Sequence, residues 1–374
     1  MEDAKQLTVA CLCGAASHTF SVPASAFPLP THLCSCNISR RISGSLLTSY
    51  VNITHGVDPP KPDLSALTPY KSSDILTRHF CSTCGTQMYL EYNHDGHFEA
   101  ATGTLQVDST DNVVEHKAHI WIEDTRDGGA THFIAHVGDR DLKRYLQGPG
   151  KSEEASLDWT LPRPIDTTEI KQTPIHAHCH CGGVQFYIHS PNEASRTAES
   201  SFPDLLIPYH TGSSENPENE PWWLPSPTRF LAGTCACTSC RRASGFDVTF
   251  WAFIPAVNIF LDENGTQIFT RNPYWGSMKT FRSSQNVTRT FCGTCGANIF
   301  WDGDERPSIV DVAVGLLDAK SGARAEDLLA WWPGRVSFEE EALNKGLING
   351  LGIGLKEWAR RNDGNECIAT KRLT

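Results

Sequence analysis

The chain has 374 residues, 39% of them hydrophobic and 20% charged, with a formal net charge of −11, which suits two globular domains of roughly 150 residues each. The acidic balance argues against nucleic acid as a partner, because no basic field would draw a polyanion in. No window approaches the roughly 18 apolar residues of a membrane span, and MEDAKQLTVACLCG has no apolar core of signal-peptide length. A cytoplasmic protein is expected, in which cysteines read as metal ligands before disulfides.

In chain order, a knuckle Cys11-x-Cys13 opens the segment CLCGAASHTFSV, whose alternation after the knuckle is of strand type. CSCNISRRISG (34–44) follows, then HFCSTCGTQMYLEYNHDG (79–96), ATGTLQVD (101–108) and the short strand pattern HIWIE. Helical periodicity is weak, appearing near 138–147 (GDRDLKRYLQ) and again near 325–330 (AEDLLA). Residues 147–174 are rich in Pro, Gly, Ser and charge, a linker composition.

The same series then repeats. CHCGGVQFYIHS (179–190) matches the opening segment, CACTSCRRASG (235–245) the second, TFCGTCGANIFWDGDERP (290–307) the third and AVGLLDAK (313–320) the fourth. An irregular stretch at about 190–228, carrying Trp222 and Trp223, lengthens the second copy. It reads either as a tolerated surface insertion or as a lid or pocket wall. The pattern predicts a mainly β chain of two domains, 5–146 and 175–345, with a linker at 147–174, a tail at 346–374 and a few short helices.

Thirteen of the fourteen cysteines fall within this repeat; Cys367, in the polar tail, is the remainder. Structural zinc takes four ligands in a tetrahedron, commonly thiolates supplied as closely spaced pairs. Cys11 and Cys13 with Cys81 and Cys84, and Cys179 and Cys181 with Cys292 and Cys295, are therefore expected to form two structural sites. The inner cysteines differ between the copies: Cys235, Cys237 and Cys240 make three thiolates, whereas Ser39 stands where a third would join Cys34 and Cys36. Three protein ligands with an open position are the arrangement of a catalytic zinc; the alternative is a closed site completed by a distant His, Asp or Glu. All fifteen histidines lie at or before residue 210. Of the carboxylates Asp247, Asp302, Asp304 and Asp311, none stands out as the acid or base. With only Ser39 and a neighbouring His32 beside its two thiols, the first copy reads as scaffold or pocket wall.

The order C-x-C-G, then C-x-C-x-x-C-R-R-x-x-G, then F-C-x-x-C-G resembles the glutathione-dependent formaldehyde-activating enzyme family, grouped with centromere protein V domains. The resemblance spans about 5–145 and 175–345 and is most specific at CACTSCRRASG. It implies a tandem pair of β-tent zinc domains with structural zinc on the two outer sets. It further implies a catalytic zinc on Cys235, Cys237 and Cys240, and glutathione as a possible co-substrate with formaldehyde. Typical members are single domains, so the fusion suggests a monomeric pseudo-dimer, and Ser39 removes a family ligand from the first half. Tryptophan usage is lopsided, Trp121 alone preceding the linker and eight following it, which fits a pocket for a flat or bulky substrate as well as core filling.

Three functions follow as expectations. The first is a zinc-dependent carbon–sulfur lyase resembling S-(hydroxymethyl)glutathione synthase, with Arg241 and Arg242 as anchors for a substrate carboxylate. The second is a zinc Lewis-acid enzyme acting on a larger aromatic or carbonyl compound. The third is a non-catalytic zinc-stabilised binding module.

Overall fold

The structure is a computed structural model that describes residues 4–55, 61–162, 173–200, 214, 216 and 219–362. The chain is mainly β. In the first copy, β1 (Ala4–Ala10) and β2 (Ser17–Pro23) pair as an antiparallel hairpin about the first knuckle. β3 (Leu29–Cys34) leads through the Cys36 turn into α1 (Asn37–Ser43). A five-stranded antiparallel sheet follows, made of β4 (Tyr50–Asn52), β5 (Leu67–Lys71), β6 (Leu76–Cys81), β7 (Gln87–Tyr92) and β8 (Phe98–Ala101), in the order β4-β8-β7-β6-β5. β9 (Val114–Ile120) then runs parallel to β3.

The stretch read as helical near 138–147 is extended instead. β10 (His136–Val137) and β11 (Arg140–Asp141) pair with each other, and β12 (Lys143–Arg144) joins β9. Gly138, at φ 57, supplies the reversal between the first two. Residues expected to begin the linker fold back on this copy, Gln147 O accepting from Trp121 N–H and Leu161 N–H donating to Arg126 O. Residues 163–172 lie outside the described part.

The second copy repeats the plan. β13 (Ile175–His178) and β14 (Gln185–Ile188) form the knuckle hairpin. The short α2 (Glu193–Arg196) precedes β15 (Phe230–Cys235) and α3 (Thr238–Ser244). β16 (Thr249–Pro255), β17 (Ile259–Phe260), β18 (Met278–Ser284), β19 (Val287–Cys292), β20 (Asn298–Gly303), β21 (Ile309–Ala313) and β22 (Leu329–Trp331) complete it. The sequence TFWAFIP makes every residue of β16 buried, as befits a central strand covered on both faces. It pairs with both β15 and β21, welding a seven-stranded sheet, while its counterpart β4 spans only three residues and leaves two separate sheets. The helix expected at 325–330 is a turn entering β22.

The copies clasp each other about a pseudo-two-fold seam, and the R-R-x-S-G segment of each builds it. Gly103 N–H donates to Gly245 O at 3.0 Å, and Gly315 N–H donates to Gly44 O at 2.9 Å. Gly44 and Gly245 cap their helices in the left-handed conformation. A Cβ on Gly44 would lie 2.4 Å from Asn298 O, and one on Gly245 2.6 Å from Gln87 O, so each glycine is required by both its φ and its neighbour across the seam. Arg241 Nη1 donates to Gly103 O at 2.5 Å and Arg242 Nη2 to Cys11 O at 2.6 Å, while Arg41 Nη1 donates to Leu316 O at 3.1 Å in the opposite sense. The paired glycine bonds are reciprocal, as in an isologous interface; the arginines are not, since Arg40, the counterpart of Arg241, donates to Asn37 Oδ1 and Asp124 O within its own copy.

The expected tail begins with an 18-residue helix, α4 (Lys345–Asn362). It turns back onto the first copy, where Trp358 meets Phe133 edge-on at 5.3 Å. Its apolar face is interrupted by four glycines, which hid the periodicity from a sequence reading. No helix of the described residues is long and apolar enough to cross a membrane.

Candidate metal centres and the adjoining cavity

Each outer site is made by two hairpin turns meeting. In the first copy Cys11 Sγ lies 3.5 Å from Cys13 Sγ, and Cys13 Sγ lies 3.6 Å from Cys81 Sγ; in the second, Cys179–Cys181 and Cys181–Cys292 are both 3.5 Å. Four thiolates about one zinc at about 2.3 Å would sit about 3.8 Å apart, so both sets fit the ion. Backbone amides also point at the sulfurs: Ala16 N–H at 3.2 Å from Cys11 Sγ, Val184 N–H at 3.3 Å from Cys179 Sγ and Cys295 N–H at 3.4 Å from Cys292 Sγ. Such donors favour the charged thiolate. The two sets, Cys11, Cys13, Cys81, Cys84 and Cys179, Cys181, Cys292, Cys295, are each gathered closely enough to hold one ion.

Cys235, Cys237 and Cys240 are likewise gathered, at the end of β15 and the start of α3, and no fourth His, Cys, Asp or Glu of the described residues joins them. Cys240 N–H donates to Cys237 Sγ at 3.3 Å. The thiol of Cys240 is held well below its ordinary pKa by its two sister sulfurs and by Arg289, against the effect of burial. Arg289, projecting from β19, donates through Nη2 to Cys240 Sγ at 3.3 Å and to Ser239 Oγ at 2.9 Å. Burial disfavours its charge, yet the charges of Cys240, Cys237 and Cys235 raise its pKa overall. Its Nε and Nη1 have no acceptor among the described residues.

These groups line a cavity of about 270 Å³. Trp251, Phe253 and Trp301 form its apolar walls, Ser283, Ser284 and Val287 come from the β18–β19 hairpin, and Asp311 and Phe338 are among the rest of the lining. Asp311 is buried and paired with Arg306 Nη2 at 2.5 Å. Of the four carboxylates weighed from sequence it alone lines this cavity. Asp247 accepts from Thr102, Asp302 pairs with Arg271, and Asp304 pairs with Arg282 on the surface.

The first copy's inner cluster has the same scaffold and other contents. Cys36 caps α1 as Cys237 caps α3. Ser39 Oγ lies 3.3 Å from Cys36 Sγ and 3.5 Å from Cys34 Sγ, and no His, Cys, Asp or Glu of the described residues makes a third ligand, His32 included. Cys36 is lowered to about 6 by its bond with Cys34 and by Ser39, and Arg78 adds to the effect. Arg78 stands where Arg289 stands, and all three of its nitrogens are engaged: Nη2 with Ser39 Oγ at 3.3 Å, Nη1 with Tyr50 Oη at 3.2 Å and Nε with Ser72 Oγ at 3.3 Å.

The other sequence expectations resolve as follows. Arg241 and Arg242 are committed to carbonyls across the seam, and neither lines the cavity. Trp222 and Trp223 are buried in the core; Trp222 meets the back of Phe253 edge-on at 5.4 Å rather than facing the cavity. Cys367 lies outside the described residues. Sequence reasoning missed Arg289, although R-H-F-C and R-T-F-C place an arginine at the same position of both copies. It also did not anticipate the exposed turn His94–Asp95–His97, in which both rings already contact the Asp95 carboxylate.

The fold and the sulfur clusters together define a two-copy thiolate protein whose sites suit zinc. The profile of the glutathione-dependent formaldehyde-activating enzymes matches residues 6–124 and 226–332, and the chain belongs to that family. No curated protein and no solved structure gives a significant match.

Proposed function

We propose that the second copy catalyses thiol–carbonyl chemistry of the carbon–sulfur lyase type, making or breaking the bond between a thiol sulfur, glutathione being the family precedent, and a carbonyl carbon. The observation that carries this reading is the three-cysteine cluster, without a fourth ligand among the described residues, opening on a cavity. Cys235, Cys237 and Cys240 would hold a catalytic zinc, with two structural ions on the outer sets. A zinc there would lower the pKa of a thiol and polarise a carbonyl oxygen.

The chain's own groups supply the rest. In the addition direction the thiol gives up its proton, sulfur bonds to carbon, and the carbonyl oxygen gains a proton, so atoms balance without a further reagent. Asp311, held in its ion pair with Arg306, is the carboxylate that lines the cavity and would take up and return that proton. Arg289, whose guanidinium borders the cavity, would offset the excess negative charge of three thiolates on one divalent ion and favour an oxygen gaining charge beside it. The carboxylate-anchoring role weighed for Arg241 and Arg242 is not part of the proposal, since both guanidiniums hold the seam. Exchange NMR of formaldehyde with glutathione tests the reading: acceleration over the spontaneous rate is expected, lost at least about 100-fold in Cys240→Ser. No acceleration by the zinc-loaded chain would reject it.

A further inference from the structure

At three equivalent positions around their inner clusters the two copies place different side chains. In register, Leu90 lies opposite Arg78 as Trp301 lies opposite Arg289. Tyr50 pairs with Ala101 as Trp251 pairs with Ala313. Tyr92 stands opposite Leu76 as Gly303 stands opposite Val287. The second copy thus carries two indoles that the first lacks, and lacks both of the first copy's phenols, beside its cysteines.

These changes depend on one another. A Cβ on Gly303 would lie 2.9 Å from the Trp301 ring, so the indole occupies space that the tyrosine at the equivalent place takes up in the first copy. Behind Trp301, the Arg306 guanidinium sits 5.3 Å from its ring, 5.3 Å from Trp222 and 5.7 Å from Phe253, and is tied to Asp311. The partly exposed indole is therefore braced from its buried side before any ligand arrives. Trp251, unlike Tyr50, offers no oxygen to its arginine, and Arg289 Nη1 stays without an acceptor.

We infer that the cavity selects a flat, conjugated carbonyl compound, its ring system against Trp301 and Trp251 and its carbonyl end toward Arg289 and the Cys235–Cys237–Cys240 cluster. This rests on the proposed chemistry of the same site and names its carbonyl partner: an aryl aldehyde or ketone, rather than formaldehyde alone. Planar apolar walls and one cationic donor next to the cysteines match that class, since π-faces gain from offset or edge contacts and the lone polar end finds its donor. Formaldehyde would leave both indoles without a partner.

Equilibrium dialysis of the zinc-loaded full chain with 1-acetonaphthone, against acetone, tests the inference. The aryl ketone should bind one per chain, at least about tenfold more tightly than acetone. Trp301→Leu, which installs the first copy's residue, should weaken it about tenfold with zinc content unchanged. Trp251→Tyr is the second variant should the first not fold, and the same direction is expected. Equal affinity for the two ketones, or aryl affinity untouched by either variant, would overturn the inference while leaving the formaldehyde–glutathione assay to stand on its own. Aryl binding that persists where no carbonyl is ever joined to a thiol would instead sink the reaction and keep the cavity's preference.

Discussion

The two inner clusters start from one backbone: Cys36 has φ −61 and ψ 154, Cys237 has φ −62 and ψ 152, and Gly44 and Gly245 end their helices at φ 74 and 78. What fills that frame differs. In the first copy Ser39, Tyr50 and Ser72 occupy every nitrogen of Arg78. In the second, Cys240 replaces the serine, Trp251 replaces the tyrosine, and Arg289 keeps two nitrogens without acceptors. The two copies share the turn and cap that shape the cluster and differ in the side chains that surround it. One arginine is met by hydroxyls of its own half; the other borders a cavity.

The outer sites should break this asymmetry, because they are alike. Cys81→Ser and Cys292→Ser are both expected to unfold the chain, since structural zinc contributes about 10–16 kcal/mol, as much as the whole stability of a typical domain. Circular dichroism of the two variants checks this. A native spectrum from either would show that its site is dispensable and that the halves differ there too.

A smaller effect should come from the first copy's buried histidines. Burial lowers His116 and His119 to about 4 and His132 to about 3, from an ordinary 6.5. Groups with depressed pKa contribute stability that is present above the unfolded value and lost as pH falls toward the folded one. Stability should therefore drop between pH 6.5 and 4. Glu99 acts in the opposite direction: burial raises it to about 7 from 4.5, so its contribution is full below 4.5 and fades as pH rises through 7. Three histidines outweigh one carboxyl, and the unfolding free energy should fall from pH 7 to pH 5 by an amount on the order of 2 kcal/mol, read as a lower urea midpoint. Zinc content is to be checked at each pH. A flat or rising midpoint would contradict this, and His116→Gln should shallow the slope.

Much of the site was legible because cysteine spacing is a direct record of ligand geometry. The outer sets, the unequal inner clusters and the mainly β duplication all follow from where Cys and Ser39 stand. The seam was not legible. Arg241 and Arg242 follow a metal knuckle in sequence, and only the pairing of the copies turns them toward carbonyls of the other half. Helix α4 was hidden by its glycines; of the two stretches with helical periodicity, 138–147 was overridden by strand pairing and 325–330 by a turn entering β22. Trp301 and Trp251 could not be told from the core tryptophans, because composition does not say which of the rings face a cavity.

The most direct measurement is the zinc content per chain of three proteins prepared side by side: the wild type, Cys240→Ser and Ser39→Cys. The wild type should hold about three ions, Cys240→Ser about two, and Ser39→Cys about four, the second copy losing and the first regaining its third thiolate. Two ions in the wild type, or a count that neither substitution moves, would contradict the open three-thiolate site on which the account rests.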